Sequence, residues 1–376
     1  MSHARLRINY RVFTVFLVVG FVMLASAAAV VLGGGQARLR ASFGDHLGNV
    51  ADQTAANVDS YVFRRAIETA ILAAVPEVRR GAAAASATAS GPALTRQQDE
   101  EWQRTRKVPA ALAGLFTNEA SRFLSEVTRN DPTYRELLLA DRHGRLVAAS
   151  AMTSDYNQAD EEWFTRTIQG GASGRMQVGG VTWDESAGTW ALEISVPVEE
   201  AAASGLVGVL KAVVDVREIV ATVAAVRLGA TGDATLVEDD GAMVLSAARP
   251  VARAQFFAAD LLRERLQAAT REPQGPIHFA ASTADGEPRL VGVGLSQLRA
   301  SYPHLKWIVA VSQAESELFA PVRYQLWSLL AVLGLMAIAV LGLALWFSLR
   351  LAAPGPVEDL HLVEHPKVET IDDESV

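Results

Sequence analysis

The stretch LLLADRHGRLVAAS, Leu137–Ser150, decides the fold, because it returns downstream as ATLVEDDGAMVLSA, Ala234–Ala247. Each copy is an apolar run, a charged turn closed by a glycine, and a second apolar run. Such runs, bounded by a turn signal, read as paired strands, and Gly144 and Gly241 supply the positive φ that the turns need. Working outward from the first copy, Glu136–Ala140 and Arg145–Ala149 form one hairpin around Asp141–Gly144. Gly179–Trp183 and Thr189–Val196 form another around Asp184–Gly188, and Leu206–Val216 is a further apolar strand. After Arg227 the pattern restarts with Asp233–Val237, the turn Glu238–Gly241 and Ala242–Ser246. His278–Ser282, Arg289–Gly294 and Trp307–Ser312 follow as strands. Two antiparallel-sheet modules are expected, at 131–226 and 227–323.

Upstream of the strands the period changes. Leu39, Phe43, Leu47, Val50, Val58 and Tyr61 recur at steps of three and four or their sums, which predicts one long helix over Gln36–Val75. Gly81–Pro92, rich in Ala, Ser, Thr and Gly, reads as a loop. A second helix is expected over Ala110–Thr128, with Leu112, Leu115, Phe116, Ala120, Phe123 and Val127 on one side. Residues 36–130 are thus a stalk helix with a helical region.

The chain has 376 residues, 34 Lys+Arg against 42 Asp+Glu, no cysteine, and half of its residues hydrophobic. A mean hydropathy of +0.18 is too apolar for an ordinary soluble chain, so the excess belongs in membrane segments or an unusually large core. Val12–Leu32 and Leu326–Leu349 carry it; each is uncharged and long enough to cross a hydrocarbon layer of roughly 30 Å. Trp327 and Trp346 fit an aromatic belt at the two ends of the second. Ala25-Ser26-Ala27 resembles a signal cleavage site, but the apolar run exceeds the roughly 7–15 residues of a signal core, which favours an uncleaved anchor. Arg5, Arg7 and Arg11 place the N-terminus in the cytoplasm. The expected layout is a cytoplasmic segment 1–11, a span at 12–34, the bulk of the chain in the periplasm or outside, and a second span at 326–349. A short acidic cytoplasmic tail, 350–376, follows, in a bacterial inner membrane. Zero cysteine removes thiolate zinc ligands, disulfides and Cys nucleophiles. A net charge of −8 leaves no basic face for general nucleic-acid binding.

This order of elements resembles the double Cache family of extracytoplasmic sensor domains in bacterial receptors. The resemblance covers residues 36–323 and is carried by Tyr134–Val147, SDYNQADEEWF at Ser154–Phe164, TWALEISVPV at Thr189–Val198 and GLVGVLKAVVDV at Gly205–Val216. LGATGDATLVEDDGAMVLS and LKWIVAVSQAESELFAPV carry it in the second module. It implies an α+β fold: a long N-terminal stalk helix carrying two PAS-like antiparallel-sheet modules, one membrane-distal and one membrane-proximal, flanked by two transmembrane helices. It also implies a small-molecule site in the distal module, with no cofactor and no catalysis. The family's amino-acid-binding branch has a Tyr, an Arg five residues on, then a Trp and an aromatic at seven and eight. Tyr156, Trp163 and Phe164 match that pattern, whereas Glu161 stands at the Arg position and Val213 at a downstream Asp position.

An Arg there would grip a carboxylate through a bidentate charged pair. Asp160, Glu161 and Glu162 instead make the loop negative, which favours a cationic or neutral ligand over a carboxylate. A structural role for these carboxylates, facing solvent or capping a helix N-terminus, stays open beside that reading. Asp184 is a further candidate ligand contact, although Asp-x-Ser-x-Gly is also ordinary turn chemistry. Lys211 and Asp215 share one face of a strand and are expected to pair with each other, with the acidic loop or with ligand. His361-Leu-Val-Glu-His365 has the spacing of a zinc-protease motif but lies in a proline-flanked tail with no cleft around it. LRLAAPGPVEDLHL, at 349–362, resembles the start of a linker that joins such receptors to an output domain. The leading expectation is therefore a membrane-anchored small-ligand sensor that signals through a separate protein such as a kinase, cyclase or chemotaxis transducer. The alternatives are an anchored binding or scaffold protein and a membrane-bound hydrolase. Gly334 and Gly342 in the second span suggest a homodimer.

Overall fold

The computed structural model describes residues 10–88, 91–169, 175–185, 187–200, 205–246, 249–250, 254–271 and 275–350. Residues 1–9, where a cytoplasmic N-terminus is expected, the acidic tail and the His361–His365 motif lie outside the described residues. Contacts divide the chain into a folded unit, Ala37–Ala320, and a second unit made of its two ends, Met1–Gln36 and Pro321–Val376.

α1 runs without a break over Tyr10–Ala73. No proline interrupts it until Pro76, whose ring forces Val75 into extended backbone and starts α2, Pro76–Ala87. In the folded unit α1 buries Leu47, Ala51, Ala55, Val58, Val62 and Ala66, a stripe at helical spacing. α2 corrects the loop expected over Gly81–Pro92. Its Val78, Ala82 and Ser86, four residues apart, are buried, and Ala82 packs against Gly208 of a sheet strand. α3, Pro92–Thr105, follows and ends at Arg106 in the left-handed conformation. The helix expected at Ala110–Thr128 is shorter: a single 3-10 turn, Ala110–Leu112, precedes α4, Glu119–Asn130. The Asn118 side chain accepts from Ser121 N–H at 2.8 Å and sets that start.

The first sheet comprises β1 (Tyr134–Asp141), β2 (Leu146–Ala149), β3 (Gln177–Asp184), β4 (Thr189–Glu199) and β5 (Leu206–Asp215), in the order β2-β1-β5-β4-β3. α5, Glu162–Ile168, sits between β2 and β3 in the chain, and α6, Arg217–Ala224, follows β5. The second sheet contains β6 (Arg227–Leu228), β7 (Gly232–Val237), β8 (Met243–Ser246), β9 (Arg249–Pro250), β10 (Ile277–Ser282), β11 (Pro288–Leu295) and β12 (Ile308–Ala314). Its order is β10-β11-β12-β7-β8-β9, with β6 pairing β7. α7 (Ala259–Arg271), α8 (Leu298–Ser301) and α9 (Glu315–Leu318) complete the folded unit, and α10, Ala320–Arg350, closes the described chain.

The repeat read from the sequence is structural. Gly144 and Gly241 have φ of 82° and 83°, and each donates its N–H to the carbonyl three residues back, Asp141 at 3.0 Å and Glu238 at 2.9 Å. Each hairpin is followed by a lone antiparallel bridge, Arg145 to Asn157 and Ala242 to Gln255. One core joins both sheets to α1. From the first sheet it takes Leu137, Leu139, Leu192, Ile194 and Leu210, and from the second Ala234, Leu236, Leu290 and Val309. β11 lies so close to α1 that a Cβ on Gly292 or Gly294 would collide with the backbone of Leu47 or Ala51. Asp59 of α1 accepts from Ser296 Oγ at 2.6 Å and from Gln297 N–H at 2.7 Å, which ties the end of β11 to the helix.

Among the described residues one helix is long and apolar enough to cross a membrane, Ala320–Trp346, with mean hydropathy 2.6. The first expected span is represented by a shorter apolar run, Phe13–Met23, inside α1. Within the unit of the two ends, Gly20 faces Val340, whereas Gly334 and Gly342 leave open surface on α10.

Candidate functional site

Register fixes what the first sheet shows on each face. Glu136 of β1 stands opposite Val213 of β5, which stands opposite Glu193 of β4; Leu138 stands opposite Lys211, which stands opposite Ser195. Because directly paired residues project to one side, Glu136, Leu138, Ala140, Val209, Lys211, Val213, Glu193 and Ser195 share a face. The alternating residues Leu137, Leu139, Leu192, Ile194, Leu210 and Ala212 fill the core against the helices. Three ionisable side chains therefore lie on the side of the sheet turned away from α1.

α5 closes over that face. Thr167 Oγ1 is 2.8 Å from Ser195 Oγ and donates to the Trp163 carbonyl at 2.8 Å, which fastens α5 to β4. Phe164 packs with Ala140, Val209 and Ile168, and meets Trp163 edge to face at 5.7 Å. Trp163 is 6% exposed. The ammonium of Lys211 sits 2.7 Å from Glu193 Oε1 and 5.5 Å from the centre of the Trp163 ring. A carboxylate on one side and an indole face on the other is a cation seat, and this chain's own lysine fills it. Trp163 Nε1 is buried with no acceptor among the described residues.

The loop before α5 supplies the remaining groups. Glu161 occupies the N-cap position yet makes no capping bond with its side chain. Its pKa is raised, first by burial and then by the negative charge of Asp155, with Asp160 and Glu193 adding to it and Lys211 opposing. Asp155 is also raised, by burial, against hydrogen bonds from Ser154 and Gln158. Tyr156 is buried beside Trp102, ring centres 6.4 Å apart, in a cluster that includes Leu138, and so borders the same face. Asp160 is exposed, and Glu162 is turned to Arg166 in a helical ion pair.

The structure brings together Glu161, Trp163, Phe164 and Lys211; Tyr156 packs in the neighbouring cluster with Trp102 and Leu138, and Asp160 is exposed beside Glu161. It also shows how Lys211, Asp215 and Asp184 are engaged. Lys211 pairs with Glu193 and not with Asp215, which lies four residues on, at the end of β5. The Asp215 carboxylate accepts from Arg217 N–H at 2.8 Å and Arg217 Nε at 2.9 Å, with Arg135 Nε 3.8 Å away, and so organises the entry to α6. Asp184 accepts from Ala187 N–H at 2.8 Å, the turn role, in a hairpin whose Trp183 is 52% exposed. Sequence reading missed Glu136, Glu193, Ser195, Thr167 and Asp155. Glu136, 2% exposed, and Glu193 each interrupt an apolar strand, and that interruption was the available signal.

A family model described as Cache domain matches residues 36–322. Among solved structures, the ligand-binding domain of the Pseudomonas aeruginosa amino acid chemoreceptor PctC, in complex with GABA, is 17% identical. That match covers 72% of this chain and 100% of that one, with a TM-score of 0.47. The corresponding domain of P. aeruginosa PctB with L-Arg is 15% identical, covering 74% and 97%, with a TM-score of 0.42. The domain of Campylobacter jejuni Tlp3 with 4-methylisoleucine is 11% identical, covering 76% and 95%, with a TM-score of 0.45. No curated protein matches. With two antiparallel sheets set along one long helix and a family match across both of them, this chain belongs to the Cache domain family.

Proposed function

We propose that the chain is a membrane-anchored, extracytoplasmic sensor of a small ligand, and that its distal site takes a cationic or neutral molecule in preference to a carboxylate. Family membership supports the sensor role, and Ala320–Trp346 supports the anchor. The observation that carries the ligand class is the Lys211 ammonium held between Glu193 and the face of Trp163. Glu193 pairs with Lys211, Glu161 feels Asp155, Asp160 and Glu193 against that one lysine, and Glu136 is buried on the same face, so an incoming carboxylate meets repulsion while an amine meets compensation. Trp163 Nε1 offers the ligand a donor. A ligand with different affinities for two arrangements of α5 and its loop would shift their populations. Reading of that shift by a separate signalling protein belongs to the same proposal, as does pairing of two copies through the open surface at Gly334 and Gly342.

The test is the pH dependence of binding of a quaternary ammonium probe, tetramethylammonium, by calorimetric titration of the full chain in detergent. A cation binds the ionised form of Glu161, whose pKa is raised above the ordinary 4.5. Affinity is therefore full at neutral pH and falls as protonation begins, earlier than for an exposed glutamate. Glu161→Gln is expected to weaken binding and reduce the slope, leaving the share of Asp155. Wild-type binding that stays flat down to the ordinary glutamate range overturns the role of Glu161.

A further inference from the structure

We propose that the distal module holds a second binding site, for a small oxyanion, at the tip of the β1–β2 hairpin. A cavity of about 630 Å³ opens there, lined among others by Thr95, Arg96, Asp99, Arg142, His143 and Arg145. Its walls are fixed by their own bonds. Arg145 spends its guanidinium on Asp141 at 2.7 Å and on the carbonyls of Ala85 at 2.7 Å and Thr88 at 3.0 Å, which pins the end of α2. Asp141 Oδ1 accepts the N–H groups of His143 and Arg145 and sets the turn. Asp99 Oδ1 accepts from the amides of Tyr156 and Asn157, and its Oδ2 from Gln103 Nε2. The one carboxylate in the lining is therefore committed to the loop.

Arg96 and Arg142 remain. Neither has a carboxylate partner among the described residues, and Arg142 Nε is oriented by the His143 ring at 3.2 Å. Two unpaired guanidinium forks beside a cavity match the oxygens of a phosphate or carboxylate, which accept bidentate hydrogen bonds. The internal repeat removes the simplest alternative, that the turn needs basic residues. In the second module the same turn carries Asp239 and Asp240 where the first has Arg142 and His143. The backbone is alike, with a cavity of about 480 Å³ beside Asp240. Charge at this position is free to vary, and in the distal copy it is positive.

The site shares no side chain with the cation seat, although Asn157 and Ala159 of its lining lie in the loop that leads to α5. The experiment is calorimetric titration of the full chain in detergent with inorganic phosphate at constant ionic strength, with methyl phosphate and succinate as parallel arms. Saturable binding of at least one is expected; preference among the three distinguishes a phosphate from a carboxylate ligand. Arg96→Gln with Arg142→Gln, both on exposed side chains, is expected to weaken that binding at least about tenfold. Trp163→Ala leaves it unchanged. Absence of saturable binding by all three anions, or equal binding by the double variant, overturns the proposal.

Discussion

Lys211→Ala is expected to lower the stability of the full chain by about 2–3 kcal/mol and to create a binding site for propylammonium. The loss follows from what the ammonium leaves behind. Glu193 loses a partner at 2.7 Å, Glu136 stays buried on the same face, and Trp163 loses the cation over its ring. Removing one member of a buried pair costs about 3–5 kcal/mol, and the partial exposure of Glu193 lowers that figure here. Propylammonium carries the atoms that the alanine variant lacks, so it should raise the thermal midpoint of Lys211→Ala by clearly more than that of wild type. Lys211→Met keeps the stem without the charge and should fold and gain no more than wild type. If propylammonium moves all three alike, or none, Glu193 and Trp163 do not form a cation seat.

The second large effect concerns the junction between α1 and β11. Gly294→Ala is expected to cost about 3 kcal/mol, at the upper end for overpacking, because the new methyl meets the backbone of Ala51 and not a movable side chain. Gly292→Ala meets Leu47 and Gly48 in the same way. Neither glycine is required for its φ, so the cost is one of distance alone. Gly180→Ala, on an open stretch of β3, is the control and should be nearly neutral. Thermal unfolding followed by circular dichroism checks this; a Gly294→Ala variant as stable as Gly180→Ala would contradict the close approach of helix and sheet.

The strands were legible because glycine turns and period-two runs are local, and the repeat of the Asp141 and Glu238 hairpins carried the two-sheet architecture. α2 was not legible. Its Gly-Ala-Ala-Ala-Ala-Ser composition fits a loop, and what makes it a helix is burial of Val78 and Ala82 under the sheet. In the site, the aromatic pair of α5 and Glu161 were picked out by the resemblance to the family's ligand-binding pattern. Glu193 could not, because pairing it with Lys211 requires the β4–β5 register, which places it opposite Val213 and next to Ser195. The same limit misdirected Asp215: it shares a strand face with Lys211, but the chain bends at its end and Arg217 takes the carboxylate.

Thermal stabilisation of the full chain tests a cation-accepting distal site most directly. The screen covers amines, quaternary ammonium ions, amino acids, carboxylates, sugars, purines and divalent cations. An amine or quaternary ammonium at about 100 times its Kd is predicted to add roughly 2.7 kcal/mol, and Trp163→Ala to abolish the gain. Stabilisation by simple carboxylates alone, or by an amine that acts equally on Trp163→Ala, would contradict it.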